Sequence, residues 1–209
     1  MSYHEEQETL DSLKAWWSNW GNALTWVLLA ILLVLAGWSG WNYWQRRQTT
    51  EAALLYEQFQ QAATASDLAH VKRVAADMEQ SFARTPYAQM SALGAATALY
   101  RSGDAAGAKA QLQWTIDHAS DDAYREIARI RLAGVLLDEK AYDAGLKLVD
   151  ATRQDPFAAL RADRRGDLLA AAGKPDDARR AYQDALKQLA AADTPAHDLI
   201  QFKLDALGG

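Results

Sequence analysis

The chain has 209 residues, no Cys and a formal charge of −5. The lack of Cys excludes disulfide scaffolds, thiol chemistry and Cys-based zinc sites. From residue 45 onward 21 basic side chains face 23 acidic ones, a near-balance that argues against a nucleic-acid partner, which needs a basic face to neutralise phosphates.

In chain order, residues 1–21 read as a short acidic tail, with Glu5, Glu6, Glu8 and Asp11 against Lys14. Leu10, Leu13 and Trp17 recur at helical spacing, which suits a segment lying on a membrane or touching another protein there. Seven of the eight Trp fall between residues 16 and 44, and no charged side chain occurs from Ala15 to Gln45. The nine Leu, Ile and Val between Leu24 and Leu35 favour bilayer insertion by roughly −4 kcal/mol. Residues 22–44 are therefore expected to form a transmembrane helix. Its interface anchors are Trp16, Trp17 and Trp20 on one side and Trp38, Trp41, Tyr43 and Trp44 on the other, because an indole or phenol combines an apolar body with one polar group. A cleaved signal peptide would want a basic start and a shorter apolar run; this start is acidic and the run is long. The small residues Ala36 and Gly40, four apart, suit close helix pairing, or their spacing is incidental. Lys14 before the span against Arg46 and Arg47 after it tilts the positive-inside rule by one charge toward a cytoplasmic C-terminal part.

Beyond residue 45 the chain holds 39 Ala but only eight Val plus Ile, which favours helix over strand. The four Pro fall at expected helix starts, three of them behind a capping residue: Thr85-Pro86, Asp155-Pro156 and Thr194-Pro195. Gly103 and Gly173 read as helix stops. Helices are expected near 47–65, 67–82, 86–101, 104–119, 122–138, 141–152, 156–172, 175–191 and 195–207, with residues 45–85 as linking helices before a domain over 86–209. A period appears within that domain. Leu99, Gly103, Ala108, Leu112 and Thr115 match Val135, Glu139, Ala144, Leu148 and Ala151 after 36 residues, and Leu169, Gly173, Ala178, Tyr182 and Ala185 after 34 more. A small residue at a helix crossing, repeated at about this interval, marks tetratricopeptide repeats. An irregular helical bundle is the alternative this degenerate pattern leaves open. The fold class is all-α: a single N-terminal transmembrane helix followed by a tetratricopeptide-like helical-hairpin solenoid. Stacked repeats leave a surface suited to extended peptides or partner helices. Tyr100, Trp114, Tyr124 and Tyr142 are candidates for that groove, with packing between repeats the favoured alternative for each.

No catalytic constellation emerges, and no cofactor is called for. His4, His70, His118 and His197 share no metal-ligand spacing. Gly166 to Lys174 resembles a phosphate loop only superficially, since six residues separate the glycines and Pro175 stands where a Ser or Thr must ligate magnesium. Arg165-Gly166-Asp167 lies inside an expected helix and carries no adhesion reading. Arg161, Asp163, Arg164, Arg165 and Asp167, with Arg179 and Arg180, read as solvated helix faces with ion pairs, or as contacts for an acidic partner.

The acidic tail, the Trp-flanked span ending Gly40-Trp41-Asn42-Tyr43-Trp44 and the Ala-rich repeats together resemble the YfgM-like family. So do Arg165-Gly166-Asp167 with Leu169 and Lys174, the run Ala178-Arg179-x-Ala181-Tyr182, and Leu112-x-x-Thr115-Ile116 followed by Ile130-Arg131-Leu132-Ala133. The resemblance implies a non-enzymatic ancillary subunit of the bacterial Sec translocon. It implies a single-pass protein of the inner membrane, tail in the cytoplasm and repeats in the periplasm. The implied partners are the translocon, a membrane-anchored periplasmic prolyl isomerase-like chaperone and newly translocated, unfolded proteins. The family's tail is also implicated in restraining a cytoplasmic response regulator of envelope stress. The sequence departs from the family at Arg46 and Arg47, which lie on the side the family places outside. A scaffold for another envelope-assembly complex would use the same parts.

Overall fold

A computed structural model describes residues 2–149, 155–189 and 194–208, with the backbone alone for 2–13, 15, 19 and 194. Leu10 and Leu13 of the tail thus lie outside the described side chains. Among the described residues the regular structure is helical throughout: α1 (Ser2–Thr64), α2 (Leu68–Phe82), α3 (Pro86–Arg101), α4 (Ala105–His118), α5 (Asp122–Asp138), α6 (Tyr142–Leu148), α7 (Ala158–Ala171), α8 (Pro175–Gln188) and α9 (Thr194–Asp205). Two compact units are present, residues 1–50 and 51–209. The first is one continuous stretch of α1, and its side chains from Asn22 to Trp41 are solvent-exposed.

The second unit is built from one turn used four times. Ser66, Gly103, Lys140 and Gly173 all adopt positive φ, at 56°, 89°, 60° and 74°. After each, the next residue's N–H returns to a carbonyl five residues back: Asp67 to Ala62 at 3.0 Å, Asp104 to Leu99 at 2.9 Å, Ala141 to Leu136 at 2.8 Å and Lys174 to Leu169 at 2.9 Å. This is a Schellman closure, in which a left-handed residue lets the chain reverse while the last carbonyls stay bonded. It joins α1 to α2, α3 to α4, α5 to α6 and α7 to α8. Asp67 and Asp104 then cap the next helix, accepting from the backbone N–H groups of His70 and Gly107.

Counting from these turns corrects the middle repeat. The left-handed residue is Lys140 rather than Glu139, which keeps helical backbone as the C-cap of α5. Every later position shifts by one, so Gly145 and Val149 take the places expected of Ala144 and Leu148. Gly145 is buried against α7, where a Cβ would come within 2.7 Å of Leu168 Cδ2. The buried residue five past each turn is then Val71, Ala108, Gly145 or Ala178, and the one nine past it is Ala75, Leu112, Val149 or Tyr182.

Across each hairpin these pair with the residue seven before the turn. Ala96 goes with Leu112, Ala133 with Val149, Gly166 with Tyr182, and Phe59 with Ala75. A large side chain on one helix is matched by a small one on the other, because a close-packed crossing holds a fixed volume. α3 then packs on α5, α5 on α7, and α9 covers the last hairpin through Ile200 and Leu204.

Three local expectations are corrected. α6 ends at Leu148 instead of running to 152, because Val149 leaves helical backbone with its side chain fully buried; residues 150–154 lie outside the described ones. α7 starts at Ala158 instead of 156, since the Asp155 carboxylate accepts from Phe157 N–H and holds Pro156 in a turn. Thr85 does stand before α3, but its hydroxyl donates back to the Phe82 carbonyl at 2.8 Å and makes no cap bond.

Candidate functional site

The first helices of successive hairpins place one set of side chains on a common groove. α3 contributes Thr97, Tyr100 and Arg101, α5 contributes Arg131, Gly134 and Asp138, and α7 contributes Arg164, around a cavity of about 410 Å³. The spacings of three and four put each set on one helix face. Its floor is apolar, from Ala96, Leu112 and Val135.

The rim is cationic. Among the described residues Arg131 reaches only the Leu93 carbonyl at 3.4 Å and the Thr97 hydroxyl at 3.5 Å, both at the weak end of hydrogen bonding. Desolvation lowers the pKa of its guanidinium. Arg164 lies over Gly134, where a Cβ would sit 3.4 Å from its Cζ. It shares Asp167 at 3.2 Å with Lys203, which takes the same carboxylate at 2.8 Å. The Arg164 Nε is buried with no hydrogen-bond partner among the described residues. Asp138, the acid of the groove, is held by the Tyr100 hydroxyl, and that bond raises the phenol's pKa.

Of the four aromatic candidates, Tyr100 lines this groove and is 37 % exposed. The other three stand elsewhere. Trp114 stacks on His118 at 4.9 Å and packs beside Ala52, Met78 and Ala88. Tyr124 packs on the cluster of Leu93, Leu112 and Leu132, and Tyr142 on that of Ile130, Val149 and Leu168. Arg131 and Arg164 were not singled out as groove residues from sequence. The signal for them was present: each stands nine residues before its turn, Lys140 and Gly173. It is hidden while Glu139 is taken as the turn, because the two then fall out of register.

The Arg and Asp run of α7 is not a solvated face. Arg161 is 2 % exposed, bound to Glu126 at 3.1 Å and to Asp155 at 3.0 Å, and so ties α7 to α5. Asp163 is buried against Lys203 of α9 at 2.7 Å, and desolvation raises its pKa. Tyr182 donates to Asp167 at 2.9 Å, and burial pushes its own pKa upward. These charges fasten helices together. Among the described residues no cluster of three or more His, Asp or Glu could hold a metal.

In the first unit, α1 is long and apolar enough to cross a membrane from Trp20 onward, and none of that apolar window is buried. Trp16, Trp17, Trp20, Trp38, Trp41, Tyr43 and Trp44 are all exposed on it. Trp20 and Trp38 lie about 27 Å apart along a helix rising ~1.5 Å per residue, close to a hydrocarbon thickness of about 30 Å.

Comparison with known proteins agrees with this architecture. A protein of Neisseria gonorrhoeae named "Ancillary SecYEG translocon subunit" is 28 % identical over 204 residues, covering 97 % of each chain. One of Escherichia coli with the same name is 28 % identical over 207 residues and 98 % of each chain. A third, from Haemophilus influenzae, is 25 % identical over 181 residues, 87 % of this chain and 88 % of that one. These full-length relatives bear out the YfgM-like resemblance, and the model of the tetratricopeptide repeat-like domain matches residues 14–209. The chain belongs to the tetratricopeptide repeat-like domain family.

Proposed function

We propose that this protein is a non-enzymatic ancillary subunit of the Sec translocon, held in the membrane by α1, whose repeats bind translocated polypeptides and pass them to chaperones. The observation that carries the reading is the end-to-end correspondence with relatives named as translocon subunits. It accompanies an apolar helix whose window is unburied among the described residues and a hairpin array with an open groove. On this reading the tail lies in the cytoplasm and the repeats in the periplasm, beside a membrane-anchored prolyl isomerase-like chaperone, as the YfgM-like resemblance implies. Tethering raises the effective concentration of a weak binding surface at the exit of the channel, so modest peptide affinity suffices there.

Two manipulations test it. Exchanging residues 22–44 for an unrelated span should keep the protein in the membrane and sharply lower the yield of translocon co-purified with it; unchanged yield contradicts anchoring through this helix. Single Cys substitutions at Ser120, which is exposed between α4 and α5, and at Ser2 report orientation in spheroplasts. A membrane-impermeant maleimide should label position 120 and spare position 2. The reverse pattern would place the repeats in the cytoplasm, as Arg46 and Arg47 favour, and would remove the periplasmic role.

A further inference from the structure

We infer that the groove between α3, α5 and α7 selects extended segments that carry an acidic side chain beside an apolar one. The inference deepens the polypeptide-binding reading and rests on it.

Charge and shape carry the argument together. Arg101, Arg131 and Arg164 line one cavity with Asp138 as its acid, and Asp138 already accepts from Tyr100. Arg101 and Arg131 have no carboxylate partner among the described residues. The nearby acids are engaged: Glu139 pairs with Lys109 at 2.7 Å, and Asp167 is divided among Arg164, Lys203 and Tyr182. Elsewhere on this unit most guanidiniums are matched, as Arg125 is with Asp122, Arg129 with Glu126, Arg179 with Asp176 and Arg180 with Asp177. The groove is thus a local excess of positive charge in a chain of net charge −5.

A guanidinium offers a planar fork of donors that fits a carboxylate, and partial burial strengthens the pairing. The buried, unpartnered Nε of Arg164 is one donor that such a carboxylate could satisfy. Because Gly134 has no side chain, the Arg164 guanidinium lies directly over the α5 backbone. The floor of Ala96, Leu112 and Val135 takes the neighbouring apolar side chain. Cationic rim and apolar floor together suit an internal Glu or Asp flanked by Val, Leu or Ile, with its chain extended across the helices.

The test uses the full-length protein in zwitterionic phosphatidylcholine nanodiscs. The probes are short fluorescent peptides with amidated C-termini, one with two Glu among Val and Leu, the other with Gln in their place. Anisotropy should give affinity about tenfold tighter for the Glu peptide, a difference of about 1.4 kcal/mol, and this preference should shrink with added salt. Arg131→Gln and Arg164→Gln should each remove most of the preference, weakening the Glu peptide far more than the Gln peptide. Arg131→Lys should retain part of it. Helical circular dichroism and melting report folding for each variant; Arg101→Gln, at the edge of the groove, replaces Arg164→Gln should that variant unfold. Equal binding of the two peptides overturns the inference and leaves polypeptide binding intact. A preference that survives the double replacement of Arg131 and Arg164 overturns the site. Selective binding that appears only with a free C-terminal carboxylate overturns the choice of an internal acid. No binding of either peptide would sink the underlying polypeptide-binding reading instead.

Discussion

Gly166 shows how tightly single positions are specified. A Cβ at this residue would lie 2.4 Å from the Tyr182 ring, deep in the α7–α8 crossing. Gly166→Ala should destabilise the array by ~1–3 kcal/mol, the usual cost of overpacking a filled core. A second change, Tyr182→Leu, should recover part of that in denaturant melts; no recovery would show that the strain lies elsewhere. Asp104 sets a pH dependence. Its pKa is lowered first by the hydrogen bond from Lys72, at 2.7 Å, and then by the N–H of Gly107. A depressed folded-state pKa gives stability that is present above the unfolded value and is lost as pH falls through the folded one. Asp104→Asn keeps a capping side chain and removes the charge. The variant should therefore melt below the parent at pH 7 and converge with it in acid, below about pH 4. A gap that persists in acid would assign the difference to geometry. Asp163 and Glu79 have the opposite sign, since burial raises both. Their ionisation opposes folding at neutral pH, and that opposition fades as pH falls through their raised values.

At the level of the hairpin, the turn carries most of the architecture, and it tests a different kind of substitution. Lys140 holds φ of 60° without being Gly, a conformation that costs an L-residue about 1 kcal/mol. Lys140→Gly should raise the unfolding free energy from denaturant melts by roughly that amount, whereas Gly103→Ala and Gly173→Ala should lower it by about 1 kcal/mol. A drop on Lys140→Gly would mean that the Lys side chain does something the turn geometry does not reveal. The same turn explains what could be read from sequence. The helices flanking Gly103 and Gly173 were legible because Gly, Asp and Pro announce their ends. Lys140 gave no such signal, so the middle repeat was read one residue out of step. The equivalence of Arg131 and Arg164 disappeared with that slip. The break at Ser66 was legible between the helices expected at 47–65 and 67–82, but with no Gly there this hairpin was left among the linking helices and outside the repeat pattern. The α7 charges were misread for a separate reason. Helical spacing shows that Arg164 and Asp167 can pair locally, but it cannot show Glu126 on α5 arriving at Arg161 or Lys203 on α9 arriving at Asp163 to bury them. Tyr100, Trp114, Tyr124 and Tyr142 looked alike as aromatics in an array, and tertiary packing alone separates the one on the groove from the three in the layers.

The whole chain combines two surfaces with different solvents. In the first unit, Leu24 to Leu35 are exposed around the full circumference of α1, which water does not tolerate and a bilayer favours. In the second, the repeats bury their apolar faces against each other and leave a groove whose rim carries three guanidiniums. Both surfaces suit association, the first with lipid and the second, on the function proposed above, with polypeptide. The central claim is that this groove receives chains as they leave the translocon. It is tested most directly by placing a photo-crosslinking residue at Arg101, on the groove, and in a second protein at Asp176, whose side chain is 83 % exposed on α8. Each is expressed with a secreted substrate stalled partway through the channel. The account predicts a crosslink to the stalled chain from position 101 and little from position 176. Equal crosslinking from both, or none from position 101 while the protein still co-purifies with the translocon, would contradict it.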